Sequence, residues 1–204
     1  PATLYNGMIH PLVPYTIRGA IWYQGERNAH DELVTLYGEQ LETLIQAWRK
    51  DWEEPFPFYF VQLPNWEANR AGWVAIRDEM LRLYRRLVDT GIAVTIDVGD
   101  PKDIHPKNKQ AVGKRLALWA LAKAYDKDVV ACGPLYRTAR RRGNKMVITF
   151  DFVGGGLVAE GGTLKGFEIA GEDREFVPAT ARIDGDSVIV SSPEVEKPRS
   201  VRYL

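Results

Sequence analysis

Two short stretches of this sequence carry residue types and spacings that suit ester chemistry. The first is Asp103-Ile104-His105-Pro106. A histidine in a polar loop titrates near neutrality. A carboxylate that holds its Nδ1 proton would orient the ring as a general base. Asp103, Asp97 and Asp100 are all candidates for that carboxylate. The same tetrapeptide also fits a plain loop ahead of a helix, with acidic side chains near the positive helix start. The second stretch is Gln24-Gly25-Glu26-Arg27-Asn28. Gly25 permits a sharp backbone turn. The Asn28 amide suits an oxyanion donor, and equally the cap of a following helix. Gln24, Glu26 and Trp66 are candidates for substrate contact. Trp66 has a ring that either stacks on a sugar or packs in a core.

Other chemistries find little support. His10, His30 and His105 are not at metal-ligand spacing, and with one cysteine, Cys132, a zinc site is not expected. No cofactor is expected. Gly154-Gly155-Gly156 lacks a following Lys-Ser/Thr and reads as a turn rather than a phosphate cradle. Arg140-Arg141-Arg142, with Arg137 and Lys145, reads as a solvated loop before a strand. Lys+Arg and Asp+Glu are both 27 in 204 residues, so a nucleic-acid or anionic-membrane partner, which would want a basic excess, is not expected. No apolar run approaches the roughly 18–20 residues of a membrane span. One cysteine excludes an internal disulfide framework. Serine is the unusual count. There are four, Ser187, Ser191, Ser192 and Ser200, and none in the first 186 positions.

The two stretches need elements that hold them. Residues 16–23 read as a buried strand that stops at Gln24-Gly25. Leu33, Tyr37, Leu41, Leu44 and Trp48 recur at steps of three and four, which predicts an amphipathic helix over 31–52. Residues 58–63 predict a second strand, and Trp73, Ile76, Met80, Tyr84 and Leu87 a second helix. Residues 92–96 predict a third strand. Pro106 is suited to open a third helix carrying Val112, Leu116, Trp119 and Ala122 as far as Tyr125. Strands alternating with helices predict a three-layer, doubly wound parallel sheet. Ligands bind at the carboxyl ends of such strands, where residues 24–28, 64–66 and 97–105 fall. Beyond Cys132-Gly133-Pro134 the helical period disappears. Short apolar runs at 146–152, 167–170, 177–183 and 188–190 predict a small antiparallel β module. The expected organisation is a sheet domain over 1–131 and a β module over 132–204.

The sequence resembles the sialate O-acetylesterases, carbohydrate esterases of the SGNH hydrolase superfamily. The matching words are Leu4-Tyr5-Asn6-Gly7-Met8-Ile9, Ile21-Trp22-Tyr23-Gln24-Gly25-Glu26-x-Asn28, Trp48-Arg49, Pro57-Phe58 and Val61-Gln62-Leu63. They continue with Asp97, Ile104-His105-Pro106-x-x-Lys109 and Arg115-Leu116-Ala117, then Gly133-Pro134, Gly166-Phe167 and Val201-Arg202-Tyr203. The resemblance implies a partial SGNH or flavodoxin-like fold and hydrolysis of O-acetyl esters on sugars such as sialic acid. It implies Gly25 and Asn28 as the oxyanion block and His105 as the base. The superfamily's usual Asp-x-x-His has Lys102 at the Asp position here, whereas Asp103 gives Asp-x-His and is the expected partner of His105, with Asp97 and Asp100 as rivals. The family's Gly-Gln-Ser-Asn-Met-like nucleophile block is absent. Both ends of the chain read as cuts, and the serine is expected on an upstream segment or a second chain. A periplasmic or secreted location is what the resemblance suggests. A non-catalytic carbohydrate-binding or interaction module on the same scaffold is the alternative.

Overall fold

The computed structural model describes residues 2–30, 32–67 and 70–203. They form two compact units, Pro1–Ala131 and Cys132–Leu204. In the first unit, β1 (Ala20–Trp22), β2 (Phe58–Val61) and β3 (Thr90–Ala93) form a parallel sheet in the order β1-β2-β3. Helices α1 (Tyr37–Asp51), α2 (Arg70–Arg86) and α3 (Lys109–Trp119) connect or follow these strands. Every residue of β2 and β3 is buried, as expected of a parallel sheet covered on both faces. Alternation along β2 sends Tyr59 to one face and Phe58 and Phe60 to the other. The Tyr59 ring stacks on Trp119 of α3 at 6.3 Å. Phe58 meets Trp48 of α1 at 6.1 Å, and Trp48 also meets Trp22 edge-on at 5.9 Å. Ile45, Ile76, Met80 and Leu83 complete the helical side of the core.

Several elements depart from the sequence expectations. The helix predicted over 31–52 begins only at Tyr37, after a 3₁₀ turn over Val34–Leu36; Asp31 lies outside the described residues. The β-branched Val34 and Thr35 suit that turn better than a regular helix. The third strand starts two residues earlier than predicted and ends at Ala93. Beyond it the Thr95 hydroxyl donates to the Gln62 carbonyl at 2.6 Å, so contact with the β2 segment continues through a side chain. Pro106 does not open α3. Asn108 caps it, its Oδ1 accepting from the Ala111 N–H at 3.0 Å. A wider helical turn over Ala120–Ala124 then carries the helix on to Tyr125.

Arginine 49 closes the amino end of the sheet. It is buried on α1, and its guanidinium donates to the carbonyls of Phe56, Val88 and Asp89 at 3.0, 3.2 and 2.9 Å. The outer edge of β3 is closed as well. The Trp119 indole N–H donates to the Ile92 carbonyl at 2.9 Å, and Arg115 donates to the Val94 carbonyl at 2.6 Å. On β1 the Ala20 N–H donates to the Pro57 carbonyl, so parallel alternation turns the Ile21 peptide groups away from β2. Ile21 is 69% exposed.

The second unit is antiparallel. One sheet has the order β4-β5-β9-β8, built from β4 (Leu135–Arg142), β5 (Lys145–Asp151), β8 (Thr180–Asp184) and β9 (Ser187–Ser191). The other, in the order β10-β6-β7, uses β6 (Phe167–Ala170), β7 (Val177–Pro178) and β10 (Ser200–Tyr203). Met146, Ile148, Phe167, Ile169, Ala181, Val188 and Val190 form its core. The arginine cluster is not a loop. Arg140, Arg141 and Arg142 lie on β4 and pair with Val147, Met146 and Lys145 across a turn at Gly143, whose φ is +64°. β4 is an edge strand, where a row of cations discourages pairing with a second sheet.

Candidate active site

Parallel pairing puts the carboxyl ends of β1, β2 and β3 along one edge of the sheet. Strands lie about 4.8 Å apart, so the loops after β1 and β3 are only about 10 Å apart at their roots. Side chains knit the three loops together. His30 meets Trp66 at 5.7 Å and Trp73 at 5.8 Å, and Trp66 packs on Trp73 at 4.6 Å. The Glu67 N–H donates to the Pro101 carbonyl at 3.0 Å. Gly99 sits against Asn65 so closely that a Cβ there would lie 2.7 Å from the Asn65 carbonyl oxygen. The Lys109 ammonium lies over the Tyr23 ring, 5.1 Å from its centre. That contact joins the residue next to Gln24 to the residue four places beyond His105.

Gly25 is buried with φ of +142°, a region that L side chains rarely adopt. A Cβ at Gly25 would meet Ile76, Met80 and the Tyr37 hydroxyl at 3.0–3.3 Å. The backbone conformation calls for glycine there, and the packing leaves little room for a side chain. Asn28 caps neither of the following helices with its side chain. The residues at those N-caps are Leu33 and Leu36, and neither makes a side-chain cap bond. The Asn28 amide faces other amides instead. Its Oδ1 accepts from Gln24 Nε2 at 2.9 Å, and its Nδ2 donates to Gln40 Oε1 at 3.3 Å. Tyr37 hydroxyl lies 2.9 Å from the Gln24 backbone carbonyl and 3.1 Å from Gln24 Oε1. Burial, helped by the nearby Glu26 carboxylate, pushes the Tyr37 phenol up to about 12. Glu26 is half-buried in the turn between Gly25 and Asn28. Trp66 is partly exposed.

The three aspartates have different partners. Asp97 receives two bonds from Arg115, at 2.6 and 2.5 Å, and this guanidinium holds its carboxyl below the usual aspartate range. Asp100 Oδ1 accepts from the Lys102 N–H at 2.9 Å. Asp103 Oδ1 accepts from the His105 N–H at 2.9 Å and lies 3.5 Å from His105 Nδ1, within ion-pair reach. The bond from the His105 N–H, then the imidazole and Lys107, lower the Asp103 carboxyl. The His105 side chain is 85% exposed. All four serines lie in the second unit: Ser187 and Ser191 on β9, Ser200 on β10, and Ser192 buried after β9. Among the described residues no three His, Cys, Asp or Glu side chains gather as a metal site, and no helix is long and apolar enough to cross a membrane. Burial pushes the Cys132 thiol up to about 12, the opposite of an activated thiolate.

Residues 2–122 match the family of carbohydrate esterases described as sialic acid-specific acetylesterase. The chain belongs to this family. Sialate O-acetylesterase from Rattus norvegicus is 36% identical over 159 residues, covering 66% of this chain and 29% of that protein. The Homo sapiens sialate O-acetylesterase is 34% identical over 155 residues, with the same coverage of each chain. Among solved structures, a carbohydrate acetylesterase from Xanthomonas citri covers this whole chain at 45% identity and a TM-score of 0.94. The match takes in 48% of that chain, so this sequence spans about half of the solved acetylesterase and less than a third of the curated relatives. Sequence reasoning missed Tyr37 and Gln40. Tyr37 belongs to the periodic apolar pattern and Gln40 is an exposed polar residue of the same helix, and nothing in their spacing points back to residues 24–28.

Proposed function

We propose that this chain supplies the oxyanion donors and the general base of a carbohydrate O-acetylesterase, within a doubly wound SGNH-type domain whose serine nucleophile lies outside residues 1–204. The substrates are O-acetyl esters on sugars such as sialic acid. The observation that carries the reading is the Lys109–Tyr23 contact. It ties the base-bearing loop to the amide-bearing loop across the carboxyl edge of the sheet. Among the described residues no strand pairs with the outer edge of β1, the strand that leads into Gly25 and Asn28, which supports a further strand there.

In this reading His105 Nε2 takes the proton of the incoming serine hydroxyl while its Nδ1 faces Asp103. The serine oxygen bonds to the acetyl carbon. The negative charge on the former carbonyl oxygen is received by the Asn28 amide and the backbone at Gly25. His105 returns the proton to the departing sugar hydroxyl. Water, deprotonated by His105, then attacks the acetyl carbon; the bond to the serine oxygen breaks, His105 returns the proton to that oxygen, and acetate leaves. Trp66 offers an apolar ring face to the sugar, and Glu26 serves as a polar contact.

The test is acetate release from O-acetylated sialic acid. A polypeptide that includes the serine segment should turn over, and His105→Ala should abolish that turnover. The 204-residue chain alone should hydrolyse little, since general-base help to water is worth about 10²–10⁴-fold. It should not be labelled by a serine-directed phosphonate. Fast hydrolysis by the chain, lost on labelling of Ser187, Ser191, Ser192 or Ser200, would overturn the placement of the nucleophile. Sugar binding with no turnover in the serine-containing polypeptide would instead identify a non-catalytic binding module.

A further inference from the structure

We infer that Gln24 is a positioning residue, which with Tyr37 behind it holds the Asn28 amide with its nitrogen turned outward. The inference rests on the reading of Asn28 as an oxyanion donor. An asparagine amide has a donor end and an acceptor end, and a half-turn about its last side-chain bond exchanges them. Only one orientation serves an oxyanion, because the other presents lone pairs to the developing charge. An Asn28 without inner partners would sample both.

The hydrogen bonds here remove that freedom. Tyr37 is buried at 3% exposure beneath Gly25 and stays protonated. Its single hydroxyl proton is directed at Gln24, shared between the backbone carbonyl and Oε1. Oε1 of Gln24 faces this hydroxyl, and its Nε2 is turned toward Asn28. That nitrogen donates to Asn28 Oδ1 at 2.9 Å, which fixes oxygen inward and nitrogen outward. One Nδ2 hydrogen meets Gln40 at 3.3 Å, and the second remains for the oxyanion. Both ends of the Gln24 side chain are used inside the loop, so its part is to orient Asn28 rather than to contact sugar.

Gln24→Glu tests this, because it keeps the shape and replaces the donor end by an acceptor. In the serine-containing polypeptide, kcat should fall about as far as in Asn28→Ala, about 10²–10³-fold, with KM little changed. The double variant should be no worse than either single one. Tyr37→Phe should cost less, about threefold to tenfold, as for one neutral hydrogen bond. Gln24→Met serves as a second variant if the added charge disturbs folding. A direct readout uses the ¹⁵N-labelled 204-residue chain. Nuclear Overhauser contacts should place Asn28 Nδ2 protons beside the Gln40 side chain, and Gln24→Glu should remove them. If Asn28→Ala keeps its kcat, the oxyanion reading itself falls. If Asn28→Ala is slow but Gln24→Glu changes only KM, or leaves both kcat and the Asn28 amide contacts unchanged, the positioning role alone is overturned.

Discussion

Replacing Asp97 by asparagine isolates the ion pair that holds α3 against the end of β3. The two carboxylate–guanidinium bonds measure 2.6 and 2.5 Å. At 2.5 Å, Coulomb attraction in a water-like dielectric is about 1.7 kcal/mol. The Asp97 side chain is 57% exposed and that of Arg115 is 32% exposed, so solvent screens much of this. Exposed pairs reach roughly 0.2–1 kcal/mol, and the two-pronged geometry places this one near the top, at about 1 kcal/mol. Arg115 keeps its bond to the Val94 carbonyl in the variant. The pH dependence follows from the direction of the shift. The folded carboxyl sits below its unfolded value of about 3.9. Its contribution is therefore complete above that value and lost as pH falls through the folded one. Urea unfolding followed by tryptophan fluorescence reads the right unit, since all six tryptophans lie within residues 1–131. Asp97→Asn should lower the midpoint at pH 7 by about 0.5 M. The gap to the native chain should stay constant down to about pH 4 and close below it. No deficit at pH 7, or a deficit of unchanged size at pH 3, would refute the argument.

Gly91→Ala should destabilise the first unit by about 1–3 kcal/mol, because a Cβ there would lie 2.5 Å from the Trp119 ring; an unchanged urea midpoint would count against the packing described. Arg49→Met should cost about 3 kcal/mol, since three carbonyls at the amino end of the sheet lose their donor, and thermal unfolding of the variant checks it. In the serine-containing polypeptide, Asp103→Asn should slow kcat by about 10²-fold or more with the unfolding midpoint unchanged, while Asp97→Asn should show the reverse pattern. Trp66→Ala should raise KM for the acetylated sugar more than it lowers kcat, as loss of a stacking surface does.

The alternation of short apolar runs with 3.6-period stretches was enough to place three strands and three helices, because burial on both sheet faces leaves no other pattern. The residues that follow those strand ends were legible for the same reason: Gly25, Asn28, Trp66, Asp103 and His105 fall where parallel strands stop. Element boundaries were not legible. Thr95 reads as strand but spends its hydroxyl on the Gln62 carbonyl, and Asn108, not Pro106, caps α3. The arginines on β4 read as a loop, because an exposed edge strand needs no apolar residues on its outer face. Sequence spacing favoured Asp103 as the partner of His105 but left Asp97 and Asp100 as rivals. Only the folded chain assigns Asp97 to Arg115, 18 positions away, and brings Asp103 within 3.5 Å of the ring. The Tyr37–Gln24–Asn28 chain is likewise a tertiary product. A phenol on α1 reaches an amide 13 positions earlier only after α1 and α2 pack and bury it beneath Gly25. Local periodicity fixes which elements form, since it records the solvent contrast along one segment. Which polar groups meet depends on the directions in which separate segments point once packed, and no single segment carries that information.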